Sequence, residues 1–213
     1  DPEVVLETLR HLSRYWAPMP PARTGERRAC VSRMSVVHDF DEIVSTVSGE
    51  SQELLFDSSV EAWTVENESE GGYGALMPET GSDWLRVGSL LGIRLEEGAA
   101  WGVGVVRRLS AYDHRQRYVG IQVLTKGATV VKLAPISAMA DPELESALLL
   151  PSTASNTKGV TEMNLLLKPG AFSLRKSMEM HAYEHTYLLV PRKLIEGGRD
   201  FDMARFRLLQ GAP

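Results

Sequence analysis

The chain has one cysteine, Cys30, among 213 residues. A lone thiol cannot close an intrachain disulfide, and no Cys or His partner stands near it at metal-ligand spacing. Neither a disulfide scaffold nor a thiolate metal centre is expected, and a reducing compartment, the cytosol, is the simplest setting. Long apolar runs are missing too. Nothing approaches the roughly 20 residues that cross a bilayer as a helix, and no charged-then-apolar leader ends in a small-residue cleavage site. Positive charge is in deficit: 23 Lys and Arg against 28 Asp and Glu leave a net charge of −5. That balance argues against sequence-independent binding of DNA or RNA, which rests on many cations meeting phosphates. Catalytic signatures are equally scarce. There is no Gly-x-Ser-x-Gly elbow, no phosphate loop with Gly-Lys-Ser/Thr, and no Cys or Ser with a base visible in sequence. No catalytic residue, enzyme activity, metal or cofactor is therefore expected. His181 and His185 lie four apart, but their segment reads as strand and lacks the adjacent glutamate of a zinc protease.

What is present is an ordinary globular composition, 43% hydrophobic, long enough for one large domain or two small ones. The first residue is Asp1 rather than methionine, which leads us to expect a longer parent protein with an output domain or a protein partner beyond this stretch.

Hydrophobic spacing organises the chain. In residues 2–16, Val5, Leu9, Leu12 and Trp16 recur at intervals that line one face of a helix, and the prolines at 18, 20 and 21 end it. Residues 28–37 read as a strand, and 39–47 fit either a strand or a short helix. Strands follow at 62–66, 90–95, 102–109 and 117–124, with 129–133 as a closing strand, and the abundant glycines between them suit the bends of a small antiparallel barrel. Residues 141–150 read as a short helix, then 151–159 as a loop. Strands at 162–167, 173–180, 186–190 and 204–209 complete the chain. The expected fold class is all-β with a short N-terminal helix. The divisions are 1–20 for helix and Pro-rich linker, 21–137 for a barrel with an arginine arm, and 138–213 for an additional C-terminal β-rich domain or extension.

Two polar clusters carry the chemistry. Residues 23–33 hold Arg23, Arg27, Arg28 and Arg33 against one acid, Glu26, so this arm is locally positive within an acidic protein. Downstream, the strand read over 62–66 runs into Asn67-Glu-Ser69-Glu-Gly-Gly72. Guanidinium forks match phosphate oxygens and the O6/N7 edge of guanine, while Asn and Ser reach the remaining polar edges of a base. The pair points to an anionic, guanine-bearing ligand. Read alone, Asn-x-Ser-x-x-Gly is also an ordinary turn, and the arm an ordinary solvated connector. Trp63, Trp84 and Trp101 are read as packing residues.

These motifs, with Trp84-Leu-Arg-Val-Gly88, Trp101-Gly-Val-Gly-Val-Val-Arg107-Arg108 and Tyr118-Val-Gly-Ile-Gln-Val-Leu124, make residues 21–135 resemble the PilZ domain, a bacterial receptor for cyclic di-GMP. The family pairs Arg-x-x-x-Arg on an N-terminal arm with Asp/Asn-x-Ser-x-x-Gly at a strand end. Arg23 and Arg27 match the first motif, and Asn67, Ser69 and Gly72 the second, with Arg28 as a neighbour. The resemblance implies a PilZ-like antiparallel barrel that binds cyclic di-GMP through these six residues and signals by changing conformation. Residues 39–59 look like sequence inserted between the motifs. The rival reading keeps the barrel but not the ligand, as a protein-interaction adaptor.

Overall fold

The computed structural model describes residues 9, 26–49, 60–78, 82–96, 98, 100–112, 116–136, 144–151, 161–182 and 185–210. The helix expected over 2–16 (Leu9 apart), the proline linker, Arg23, and most of the loop expected over 151–159 lie outside them. The rest is two closed six-stranded antiparallel barrels, which bears out the all-β reading and the further β-rich unit.

The first barrel runs β1 (Arg28–Val37), β2 (Glu61–Ser69), β3 (Gly72–Pro78), β6 (Gln116–Thr125), β5 (Gly102–Ala111), β4 (Leu90–Leu95) and back to β1. Period-two patterning fills it: Met34 and Val36 on β1, Trp63 and Val65 on β2, and Val119 and Ile121 on β6 point inward and are buried. The second barrel is β10 (Met178–Ala182), β11 (His185–Gly197), β12 (Asp202–Gln210), β9 (Thr161–Leu167), β8 (Glu145–Leu150) and β7 (Thr129–Pro135). Leu165, Leu189, Ala204 and Phe206 centre its core.

A third apolar cluster lies at the seam between the barrels. Helix α1 (Phe40–Ser48) wedges Phe40, Ile43 and Val44 among Leu90, Val103 and Val105 of the first barrel and Leu148, Leu150 and Leu166 of the second. Residues 40, 43 and 44 share one helix face, and Gly49 stops the helix in a left-handed conformation with its N–H bonded to the Thr46 carbonyl. Ion pairs rim the seam: Arg86 with Asp200, Arg107 with Glu196 at 2.5 Å, and Lys168 with Asp41 at 2.8 Å.

Four expectations need correction. Segment 129–133 does not close the first barrel; as β7 it pairs with β8 and β10. Segment 141–150, expected as helix, holds strand β8 from Glu145. Leu148 and Leu150 pack into the seam while Ala147 enters the barrel core, so both faces are apolar and the alternation is hidden. Residues 173–177 are turn and coil, with β10 starting at Met178. Strand β3 was not expected at all: Gly72 and Gly74 read as turn residues, yet they alternate with the inward-facing Tyr73, Ala75 and Met77.

Candidate functional site

Strict alternation would send Asn67 into the core after Trp63 and Val65. A β-bulge prevents this. Val65 pairs with Ala75 but Asn67 pairs with Gly74, so Glu66 is an extra residue that rotates the end of β2 by one position. Asn67 therefore faces outward, and Glu68, opposite Tyr73, faces the barrel mouth.

On the outer face Asn67 meets the arm. Arg27, just before β1, donates from Nη1 to the Asn67 Oδ1 at 2.9 Å and to the Tyr118 hydroxyl at 3.0 Å, and Asn67 Nδ2 donates to the same hydroxyl at 3.0 Å. The Tyr118 oxygen thus accepts two bonds and keeps its own O–H to donate. Arg27 retains further N–H groups and Asn67 a second amide hydrogen. The cluster is rich in unspent donors, which suits an anionic, acceptor-rich partner. Arg27 is exposed and Asn67 and Tyr118 are half-buried, so the donors are open to solvent.

Ser69 and Gly72 flank the two-residue tip of the β2–β3 hairpin. The Ser69 hydroxyl donates to the Gly72 carbonyl at 3.3 Å, and Val123 N–H on β6 bonds the Gly71 carbonyl at 2.9 Å, which ties the tip to the barrel wall. Gly72 is needed for close approach, but to protein: a Cβ there would overlap the carbonyl oxygen of Ile121. Arg28 opens β1 opposite Glu68 and is exposed; among the described residues no hydrogen bond joins it to Arg27 or Asn67.

Two members of the site escaped the sequence reading. Tyr118 sits 51 positions from Asn67, and only the strand order, with β6 beside β3, brings them together. Its outward phase was readable, since Val119 and Ile121 alternate with it toward the core. Gly74 is the other: a Cβ there would overlap the Tyr118 hydroxyl and lie 2.7 and 2.8 Å from the Asn67 amide atoms. The expected packing roles of the tryptophans hold for Trp63 and Trp84, whose Nε1 groups both donate to Glu61, at 2.8 and 3.2 Å.

Inside the mouth the electrostatics differ. Burial, and second the Glu68 carboxylate, pushes the Cys30 thiol above its ordinary pKa, and the Tyr73 phenol rises by burial, then Glu68, then Cys30. A cavity of about 190 Å³ opens here, lined by Met34, Ile93 and Leu95 with Glu68 and Lys126 as its charged residues. Those charges balance, so a doubly anionic ligand gains nothing inside; the outer face is the better anion site. Among the described residues no cluster of three or more His, Cys, Asp or Glu could hold a metal ion.

A closed six-stranded barrel with Asn67-x-Ser69-x-x-Gly72 at a hairpin tip and an arginine folded back over it resembles the PilZ barrel. Residues 41–129 match the family model described as the middle PilZ domain of the cyclic-di-GMP receptor FimW. The match begins within α1 and takes in Asn67, Ser69, Gly72, Gly74 and Tyr118, but not the arm. No curated protein and no solved structure matches the chain.

Proposed function

We propose that the chain is a cyclic di-GMP receptor module of the cytoplasm. Arg27, Asn67, Ser69 and Tyr118 contact the ligand, Arg23 and Arg28 complete the arm, Gly74 leaves room for the Asn67–Tyr118 pair, and Gly72 lets the hairpin tip pack close on β6. The observation that carries this reading is the convergence of Arg27, Asn67 and Tyr118 on the outer face of a segment similar to a cyclic-di-GMP receptor family. Chemically, Arg27 meets a phosphate or the O6/N7 edge of guanine bidentately, and the Asn67 carboxamide oxygen accepts from the ring N–H or amino group. Arg27 bonds to Asn67 and Tyr118 through Nη1 alone, so a ligand takes its remaining N–H groups and draws the arm toward itself. The arm is then the element whose position changes, and that change is what a protein partner or output domain would sense. Ligand shifts the arm's equilibrium only by its preference for the captured position.

Titration calorimetry tests this. Wild type should bind cyclic di-GMP and discriminate against cyclic di-AMP, whose adenines lack O6 and the ring N–H. Losing one charge-assisted contact, about 1.5–3 kcal/mol, should weaken Arg27→Ala by about 10- to 100-fold. Saturating ligand at about 100 times Kd should stabilise the native state by about 2.7 kcal/mol and raise its Tm. Absence of both heat and thermal shift in wild type would overturn the receptor reading in favour of the adaptor.

A further inference from the structure

The second barrel carries a charged cluster of its own. Residues directly opposed in a sheet present the same face. Glu162 on β9 opposes Arg207 on β12, Asn164 opposes Arg205, and Arg205 in turn opposes Lys193 on β11. Their neighbours Leu165, Leu189, Ala204 and Phe206 fill the core, so this set faces outward. Arg192 joins it through a bulge: Pro191 pairs with Phe206 and Lys193 with Arg205, which leaves Arg192 as the extra residue of β11. Barrel curvature does not part these side chains. Arg192 Nε lies 3.7 Å from one oxygen of Glu162 and Arg205 Nη1 lies 3.8 Å from the other, so side chains from β9 and β11 meet over β12.

One carboxylate thus shares a face with Arg192, Lys193, Arg205 and Arg207, in a protein whose net charge is −5. Glu162 can neutralise only one of them, and at 3.7 and 3.8 Å its contacts are ion pairs too long to be hydrogen bonds. Arg205 donates its Nε to the Asn164 Oδ1 at 3.1 Å. Arg207 donates to nothing. It is half-buried, its Nε is closed off without a partner, and its guanidinium makes no hydrogen bond or ion pair among the described residues. An unmet buried donor on a charged group is costly, and a merely solvated strand face would not retain one. Crowded guanidinium forks with free N–H groups match the oxygens of a phosphate, whose negative charge also relieves the repulsion among the arginines.

We propose that this face of the second barrel binds a phosphate group, gripped by Arg207 and Arg192 with Arg205 and Lys193 beside them. The site lies on β9, β11 and β12, outside residues 41–129, and does not rest on the cyclic di-GMP reading. A phosphate can arrive there on a free phosphorylated compound or on a lipid headgroup.

Titration calorimetry with inorganic pyrophosphate and co-sedimentation with vesicles test the site and separate the two sources. Wild type should bind pyrophosphate, and Arg192→Ala and Arg207→Met should bind it about 10-fold or more weakly. Arg207→Met keeps an apolar stem and removes the unmet donor, so its apo Tm should hold or rise, whereas loss of a structural arginine would lower it. Arg175→Ala removes an equal, exposed charge from the connection between β9 and β10 and should bind as wild type does. Retention of wild type, but not Arg207→Met, on vesicles of phosphatidylcholine and phosphatidylglycerol in equal parts, with none on phosphatidylcholine alone, assigns the phosphate to a lipid surface. Pyrophosphate binding without retention assigns it to a free compound. The inference is overturned if wild type engages neither probe, if Arg207→Met binds as wild type does or has a lower apo Tm, or if Arg175→Ala loses as much affinity. Each of these results leaves the cyclic di-GMP reading where it stood.

Discussion

Two glycines separated by one residue show how much a single Cβ decides. At Gly74 the intruding methyl meets only the far ends of Tyr118 and Asn67, which are half-buried and can swing aside. At Gly72 it meets the backbone of Ile121, which cannot move without parting β3 from β6. The same substitution should therefore have opposite consequences. Gly74→Ala is expected to keep its stability within about 1 kcal/mol, yet lose cyclic di-GMP binding by about 10-fold or more as the Arg27–Asn67–Tyr118 cluster is displaced. Gly72→Ala is expected to lose about 1–3 kcal/mol, the usual cost of overpacking a close-fitted site. Urea unfolding and calorimetry on both variants check this, and equal behaviour of the two would contradict it. The motif glycine was visible in sequence as part of Asn67-x-Ser69-x-x-Gly72. Gly74 was not, because its meaning depends on Tyr118, which arrives from another strand. Arg23, the other arm position the motif points to, lies outside the described residues.

Among elements, strands bounded by clear turn signals were legible, including β4, which is buried on both faces, while two strands lacking a readable pattern were not. Strands β1 and β4 emerge with the expected boundaries, and β5 and β6 within two residues of them. Strand β8 was misread because the seam hides its outer leucines, and β3 because its outer positions are glycine. The segment that looked inserted supplies α1, whose ambiguity between helix and strand only the seam resolves. The β2 bulge is the hidden determinant of the site: nothing in Val65-Glu-Asn67-Glu announces that Glu66 is the residue left out of register. Its second effect is to turn Glu68 toward Cys30 and Tyr73, which yields a test by pH. Both groups hold their protons more tightly in the folded state. Their contribution to stability is complete below their unfolded pKa values and is lost as pH rises through the folded ones. Cys30 should react with a thiol-selective disulfide reagent only above the ordinary thiol range. Glu68→Gln should move that profile partway down, because burial, the larger cause, stays. An unchanged profile in Glu68→Gln would show that the bulge does not aim Glu68 inward.

For the whole molecule, the shared apolar seam predicts that the two barrels unfold as one cooperative body. Its apolar centre outweighs its rim, since ion pairs as exposed as Arg107–Glu196 and Lys168–Asp41 contribute little each. The four tryptophans fall at 16, 63, 84 and 101, and the three described ones all belong to the first barrel or its loops. Emission from Trp63 and Trp84 therefore reports that barrel, while Trp101 also packs against the seam. Leu148→Ala on β8 opens a cavity at the seam from the other side and should cost about 2–5 kcal/mol. If the barrels unfold together, the tryptophan-detected urea midpoint falls with it; a midpoint that stays put would mean that they unfold independently. Ring closure has a wider consequence. Because each sheet pairs its last strand with its first, little lateral edge of vacant N–H and C=O groups remains among the described residues for a visiting peptide to zip onto, one exception being the start of β1, which β4 pairs only from Met34. A receptor of the kind proposed would then be read through its side-chain relief or its connecting segments, and an arm that let go of one hydroxyl to seize a nucleotide would redraw that relief without breaking a single rung of the ladder.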